Sequence, residues 1–184
     1  MAWDDTKTAN SALSSAEWNA MVTHMKTVIN TADVCTASTI DLEEVNKIRF
    51  SGDEPTSNQT GNGITVEDVA AGENVGVGEV VYLKSDGEWW RTDADAEATA
   101  KGMLGIALET KTDGVNMKTM LKGFYRDDTA FGWTAGDVLY LSTAIGNLTA
   151  TAPSGSGDIV RVVGYAVTDD LIYFNPDGTY VEIA

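Results

Sequence analysis

The chain contains the stretch Gly78-Glu79-Val80-Val81-Tyr82-Leu83, and 58 residues later it contains Gly136-Asp137-Val138-Leu139-Tyr140-Leu141. Each stretch opens on a glycine and an acidic residue and continues in β-branched, aromatic and aliphatic residues. That composition is typical of a strand that follows a tight turn. Residues 103–108 return as residues 162–167, now 59 residues later. The order and the spacing therefore indicate a tandem repeat.

The two copies of the repeat predict a mainly β domain. Residues 117–125 match residues 171–181 as a last shared element, at an offset of 55. We therefore expect a domain at residues 67–184 built from two units, about 72–131 and 132–184, which form a β-barrel or sandwich with pseudo-twofold symmetry. Gly105 and Gly164 fall within predicted strands, where a glycine marks a bulge or a close backbone approach.

An amphipathic helix is predicted before the β domain. Ser14 and Glu17 form a capping box, and Leu13 and Trp18 occupy the positions of a hydrophobic staple. Apolar residues then recur at helical spacing and form one stripe. The stripe either packs on the β domain of the same chain or forms a short dimeric or trimeric bundle. The residues predicted to attach the chain to copies of itself or to a particle are Trp3, Trp18, Met21, Val22, Met25, Val28 and Ile29.

Three segments follow from these patterns: an arm and helix at residues 1–32, a connector at 33–66 and the β domain at 67–184. Within the connector, residues 40–42 and 47–50 alternate weakly and are expected to form short strands. Residues 51–63 are rich in Gly, Ser, Asn and Thr, which predicts a loop. The β pattern is expected to start at Ile64.

Charge and residue counts exclude several functional classes. The chain has 28 Asp and Glu against 12 Lys and Arg, a formal net charge of −16, which disfavours nucleic acid and anionic membranes as partners. It has no apolar run of 18 residues that would cross a membrane as a helix. Cys35 and His24 are the sole residues of their types, so an intrachain disulfide, a cysteine-only zinc site and most nucleophilic triads are excluded.

The remaining candidate motifs favour binding over catalysis. Residues 93–97 alternate carboxylates but lack the glycine and glutamate of a calcium loop, so no metal or cofactor is expected. The adjacent Trp89 and Trp90 should face opposite sides of a strand, with one in the core and the other at the surface, where it forms a subunit contact or a recognition site. No nucleophile, base and oxyanion donor come together in the pattern, and we expect no enzymatic activity.

The first copy resembles small β-rich virion proteins of tailed bacteriophages, in particular the phage lambda head-decoration type. The resemblance rests on Ala71-Gly72, the Gly78–Leu83 stretch, Asp86-Gly87, the 102–108 stretch and Lys122-Gly123; the second copy is similar to the C-terminal ends of phage head and tail-fibre proteins. It implies a non-enzymatic, homotrimeric protein of the virion surface, made in the host cytoplasm, whose partners are the major capsid protein or other virion proteins. Two functions stay open: capsid decoration or head fibre, and a tail-fibre component or adhesin that binds a host-surface glycan or protein. The lambda-type protein is shorter and has one such unit.

Overall fold

The computed structural model describes residues 54–184, together with positions 16 and 19. The described residues from 54 onward belong to a compact unit, Ser51–Ala184. Its strands and its short helix are β1 Thr60–Ala70, β2 Val80–Leu83, β3 Trp89–Arg91, α1 Glu97–Ala100, β4 Leu104–Ala107, β5 Asn116–Arg126, β6 Val138–Leu141, β7 Leu148–Thr149, β8 Ile159–Val160, β9 Val162–Ala166, β10 Leu171–Phe174 and β11 Val181–Glu182. The prediction of a mainly β fold after residue 64 is confirmed.

Two boundaries bear on the sequence predictions. β1 begins at Thr60, so the expectation that the loop extends to residue 63 is wrong. The reason is that β1 gains its partner from far along the chain, since Thr60 pairs with Arg126 and Gly63 with Gly123. The predicted helix after Ser14, its stripe and the short strands at 40–42 and 47–50 lie outside the described residues.

The strands form a curled antiparallel sheet in the hydrogen-bonded order β3-β2-β4-β5-β10-β9-β6-β7. β5 joins the two copies of the repeat. β1 pairs with β5 along its whole length and thereby occupies one of its edges. β4 pairs with residues 119–120 of β5, and β10 pairs with residues 123–126. Because a strand has two edges, β4 and β10 must share the other edge of β5, one after the other.

The two ends of this sheet return to each other. The Gly146 amide donates a 2.7 Å hydrogen bond to the Thr92 carbonyl, and the Val80 amide donates a 2.8 Å bond to the Gly146 carbonyl. The Ala94 amide donates to the Ser142 carbonyl at 3.0 Å. These bonds join the segment after β3 to the turn between β6 and β7, so the sheet closes toward a barrel-like shape.

The repeat is visible in the backbone hydrogen bonds. The Gly78 amide donates to the Ala107 carbonyl at 2.8 Å, and the Gly136 amide donates to the Ala166 carbonyl at 2.9 Å. Gly78 and Gly136 have φ values of 86° and 93°, which L side chains rarely adopt and which a type II turn requires at its third position. The glycine of each copy is therefore needed for the turn that starts the strand.

The acidic residue after each of these glycines stabilises the same turn. Glu79 accepts a 2.7 Å hydrogen bond from the Gly76 amide through its carboxylate, and Asp137 accepts a 2.8 Å bond from the Thr134 amide. Each carboxylate thus satisfies a turn amide that would otherwise lack a partner. The Gly-Glu and Gly-Asp pairs of the repeat are turn signals with a structural role.

The third shared element of the repeat agrees less well with the structure. β10 ends at Phe174, and residues 175–180 leave the sheet before β11 begins at Val181. The segment at 177–180, which the pattern matched to residues 122–125 within β5, is therefore not a strand. The chain turns away because the Asp177 carbonyl accepts a 2.8 Å hydrogen bond from Nε of Arg161 and its amide donates to the Val162 carbonyl.

The main core lies inside the curled sheet and contains side chains of both copies. Its buried members are Val80, Tyr82, Ala94, Ala100, Leu104, Ile106, Met120, Tyr125, Leu139, Leu141, Ile159, Val163, Ile172 and Phe174. A second group, the outer cluster, lies on the opposite side of the first-copy strands and is covered by residues 69–75. It consists of Ala71, Val75, Val81, Trp89, Ala107 and Met117.

The first strands of the two copies, β2 and β6, enter the main core with opposite faces, whereas Leu104 and its equivalent Val163 both lie in that core. In the first copy, Val80 pairs with Ile106, and both enter the main core. The equivalent pair in the second copy is Val138 with Tyr165, and Tyr165 is 47% exposed. In its place Leu139 enters the main core.

This exchange of faces is a local departure from the predicted pseudo-twofold symmetry. A twofold axis would bring equivalent side chains of the two copies together in the shared core. Instead Leu139, in the main core, is the equivalent of Val81, in the outer cluster. Leu148, against the main core, is likewise the equivalent of Trp89, in the outer cluster. At β2 and β3 on one side and β6 and β7 on the other, the copies therefore turn opposite faces to the main core, as in a heterologous contact.

Gly105 and Gly164 occupy equivalent places, opposite Val81 and Leu139. A Cβ atom added at Gly164 would overlap the carbonyl oxygen of Tyr173 on β10, and one added at Gly105 would overlap the Thr119 side chain. The prediction of close approach at these two glycines is confirmed. At Gly164 the pairing of β6 with β9 also shifts register just beyond Leu139.

The turn after β5 depends on the buried carboxylate of Asp127, which is 3% exposed. Asp127 accepts hydrogen bonds from the Thr129 hydroxyl at 2.7 Å and from the Thr129 and Ala130 amides at 2.9 Å each. Burial favours a higher pKa for Asp127, but these hydrogen bonds outweigh it and hold the pKa below its ordinary value. The turn positions Phe131, which packs against the main core.

This carboxylate predicts a loss of stability in acid. A group whose pKa is lowered by folding stabilises the protein above its unfolded pKa, about 3.9 for Asp, and the stabilisation is lost as the pH falls toward the folded pKa. We expect Asp127→Asn to lower the urea midpoint at pH 7 and to flatten its dependence on pH between 5 and 3. Asp95→Asn is the control, because the charge of Asp93 and burial raise the pKa of Asp95. Equal acid sensitivity in wild type and Asp127→Asn would contradict this assignment.

Candidate interaction surface

An aromatic row crosses the outside of the sheet in the second copy. Register places Phe124 of β5 beside Tyr173 of β10, Tyr173 beside Tyr165 of β9, and Tyr165 beside Val138 of β6. Partners in an antiparallel ladder share a face, and the neighbours of this row on the opposite face, Ile172 among them, fill the main core. The row therefore lies on the outer surface.

The neighbouring pair on the same face extends the row into a patch. Tyr140 of β6 pairs with Val162 of β9 and lies two residues from Val138 along β6. We call the patch the aromatic face; its members are Phe124, Val138, Tyr140, Val162, Tyr165 and Tyr173. Tyr165 is its most exposed member, and the other five are partly buried.

The rings of the aromatic face support each other. The centroids of Phe124 and Tyr173 are 5.2 Å apart, with their planes tilted by 44°, a geometry that aromatic pairs favour. At the margin of the face, Ile64 pairs with Lys122 and is 63% exposed. A rigid sheet thus presents large apolar groups and tyrosine hydroxyls to the outside, which suits binding to a protein or to a ring-shaped ligand.

A shallow cleft of about 320 Å³ lies on the first copy and is lined by Asn74, Val75, Gly76, Glu79, Arg91, Thr110, Lys111 and Thr112. Arg91 lies between two carboxylates, with Nη2 at 2.9 Å from Glu73 and Nη1 at 3.6 Å from Glu79. Burial favours a higher pKa for Glu73, but its hydrogen bonds with the side chain and amide of Arg91 lower it. Glu73 is therefore charged, and both carboxylates are already paired with Arg91, which suits a structural ion-pair network better than acid–base chemistry.

The structure places the two candidate tryptophans on opposite faces of β3, as alternation requires. Trp89 is 1% exposed and belongs to the outer cluster, so it is inaccessible to a ligand. Trp90 is partly buried against the main core, and Nζ of Lys84 lies 3.5 Å from its ring centroid. Its indole also lies against Gly72, where a Cβ atom would overlap it. Trp90 alone is left as a surface candidate, and Lys84 covers its ring.

The other predicted attachment residues lie outside the described residues: Trp3, Trp18, Met21, Val22, Met25, Val28 and Ile29. Sequence reasoning missed the aromatic face. One signal was present, because the repeat aligns Ile106 of the first copy with Tyr165 of the second. Tyrosine tolerates exposure better than isoleucine, so this replacement is consistent with a position that changed from core to surface.

Within residues 54–184, no group of three or more His, Cys, Asp or Glu side chains is arranged to hold a metal ion. No helix in this described part is long and apolar enough to cross a membrane. Comparison with models of known protein families gives no match, and comparison with curated proteins gives none either.

Proposed function

We propose that this protein is a non-enzymatic structural component of a tailed-phage particle, a capsid decoration or head-fibre protein. The observation that carries the proposal is the aromatic face, an apolar binding surface on a sheet whose register is set by paired strands. The sequence resemblance to head-decoration proteins supports the same function. In this proposal the partners are copies of the chain and the major capsid protein or other virion proteins, and the protein acts at the virion surface.

The electrostatics of the described residues are consistent with a binding role. Arg91, the largest cationic group lining the cleft, is engaged by Glu73 and Glu79. The buried Asp127 is engaged by turn donors. These ionisable groups therefore stabilise the fold, and the aromatic face is the surface that binds a partner.

A second candidate function is a tail-fibre component or adhesin that binds a host-surface glycan or protein. It is favoured by the three tyrosines of the aromatic face, Tyr140, Tyr165 and Tyr173, since a tyrosine offers both a flat ring and a hydroxyl for hydrogen bonding. In this alternative the aromatic face is the recognition site at the end of a fibre.

Location on the particle tests the proposal. Antibodies raised against the full chain are applied to purified particles from cells that produce it, and gold labels are viewed by electron microscopy. We expect labels distributed over the heads. Labels at the tail tip would favour the adhesin alternative, and particles free of both label and the protein's peptides would overturn both functions.

A further inference from the structure

The aromatic face belongs to the second repeat copy, and the equivalent surface of the first repeat copy forms part of the main core. Val138 and Tyr140 are the repeat equivalents of Val80 and Tyr82, both buried in the main core. At the offset of 59, Tyr165 is the equivalent of Ile106. The register shift between β6 and β9 places Val162 opposite Tyr140, where the first copy has Leu104 opposite Tyr82. All four positions stay apolar or aromatic, although Tyr165 is 47% exposed and the other three are only partly buried.

In the first copy, the equivalent of the aromatic face is covered by the opposite face of the other copy. No such opposite face is free to cover the aromatic face of the second copy. In the first copy, the covering surface is the Leu139 and Leu141 face of the second copy, which is buried in the main core. The equivalent face of the first copy, with Val81 and Trp89, is covered by residues 69–75. The aromatic face can therefore pack against the aromatic face of a second chain without disrupting the main core or the outer cluster. Two identical faces pack around a twofold axis.

We propose that the aromatic face is an interface at which two copies of this chain pack face to face. The inference deepens the proposed function, on which it rests, because it names a second copy as the occupant of this face. It is separate from any association through the predicted stripe at residues 18–29.

Charge supports a second copy as the occupant. Residues 54–184 contain 20 acidic and 8 basic residues, so a basic partner would be attracted to most of the surface. None of the six side chains of the aromatic face is acidic. Along β5, Lys122 and Arg126 flank Phe124 on this side. Arg126 is paired with Asp128 and Asp170, whereas the side chain of Lys122, among the Lys and Arg residues of the described part, is the one with neither an ion pair nor a hydrogen bond. Two strongly acidic chains repel least where carboxylates are missing.

The test compares two exposed apolar side chains in the full-length protein. Tyr165→Asp introduces a charge at the centre of the aromatic face, and Ile145→Asp introduces the same charge in the β6–β7 turn, where Ile145 is 51% exposed. Sedimentation equilibrium measures the dissociation constant of each variant without phage particles. We expect Tyr165→Asp to raise it by about tenfold or more and Ile145→Asp to leave it unchanged. Far-ultraviolet circular dichroism checks that both variants fold.

A photo-crosslinking residue at position 165 or 145 provides a second readout. We expect a linked dimer from position 165, with the crosslink mapping to the aromatic face of the other copy, and none from position 145. Equal dissociation constants for the wild type and Tyr165→Asp would overturn the interface. So would a monomeric wild type that binds glycan-bearing cells through Tyr165. Neither outcome depends on where gold labels the particle, so failure here is distinguishable from failure of the proposed function.

Discussion

Replacing Gly164 with alanine is expected to lower the free energy of unfolding by about 3 kcal/mol, as overpacking of a tight site does. The added Cβ would overlap the carbonyl oxygen of Tyr173. That oxygen belongs to the ladder between β9 and β10, so it can move only if the strands separate. Urea denaturation followed by tryptophan fluorescence measures the change.

Two matched glycine variants make this prediction specific. Gly132 has no heavy atom within 4 Å of an added Cβ, and Gly132→Ala should change stability by no more than about 0.5 kcal/mol. Gly105→Ala should cost less than Gly164→Ala, because its added Cβ meets the methyl of Thr119, and Thr119→Ser should recover part of the loss. Equal losses of stability in Gly105→Ala and Gly164→Ala would contradict the exchange of faces. They would indicate that the added Cβ meets equivalent neighbours in the two copies.

Replacing Arg161 with methionine is expected to lower the free energy of unfolding by about 3–5 kcal/mol. Arg161 is 5% exposed, and its guanidinium donates to three backbone carbonyls: Ala100 at 2.8 Å, Gly102 at 2.9 Å and Asp177 at 2.8 Å. Methionine fills much of the same volume but leaves those acceptors without the donor. The side chain thus connects the turn after α1 to the segment after β10.

Two variants, Arg161→Lys and Lys101→Met, provide the controls for Arg161→Met. Arg161→Lys keeps the charge, but a compact ammonium cannot reproduce the planar fork that reaches three separate carbonyls, so we expect an intermediate loss. Lys101 lies in the same turn in an exposed ion pair with Glu97, and Lys101→Met should change stability by no more than about 0.5 kcal/mol. Thermal and urea unfolding of the three variants measure the series. A loss under about 1 kcal/mol for Arg161→Met would show that water replaces the guanidinium at these carbonyls.

Local patterns predicted much of the fold. The Gly-Glu and Gly-Asp pairs at 78–79 and 136–137 predict turns because a glycine is needed for positive φ, and both turns are present. The apolar runs after them predict strands, and the spacing of the repeat predicts that these strands recur in the same order. The start of β1 at Thr60 was missed because Gly61 and Gly63 look like loop residues. They belong to a strand because residues of β5, about 60 positions further along the chain, approach them closely.

The candidate surface could not be predicted in the same way. Trp89 and Trp90 were candidates because tryptophan is common at interfaces, yet Trp89 is buried in the outer cluster together with Val69, Ala71 and Val75. Tyr165 and Tyr173 were not candidates from the sequence, because isolated tyrosines in strands are usual in a core as well as at a surface.

By itself, the sequence determined the repeat and the turns that begin its strands, because both depend on neighbours along the chain or on a repeated local pattern. Tertiary structure alone decided which face of each copy is covered. The runs Val80-Val81-Tyr82-Leu83 and Val138-Leu139-Tyr140-Leu141 are apolar on both faces, so alternation separates the two faces without saying which is inside. The packing of one copy against the other, together with the cover of residues 69–75 on the first copy, removes that ambiguity and leaves the aromatic face on the outside.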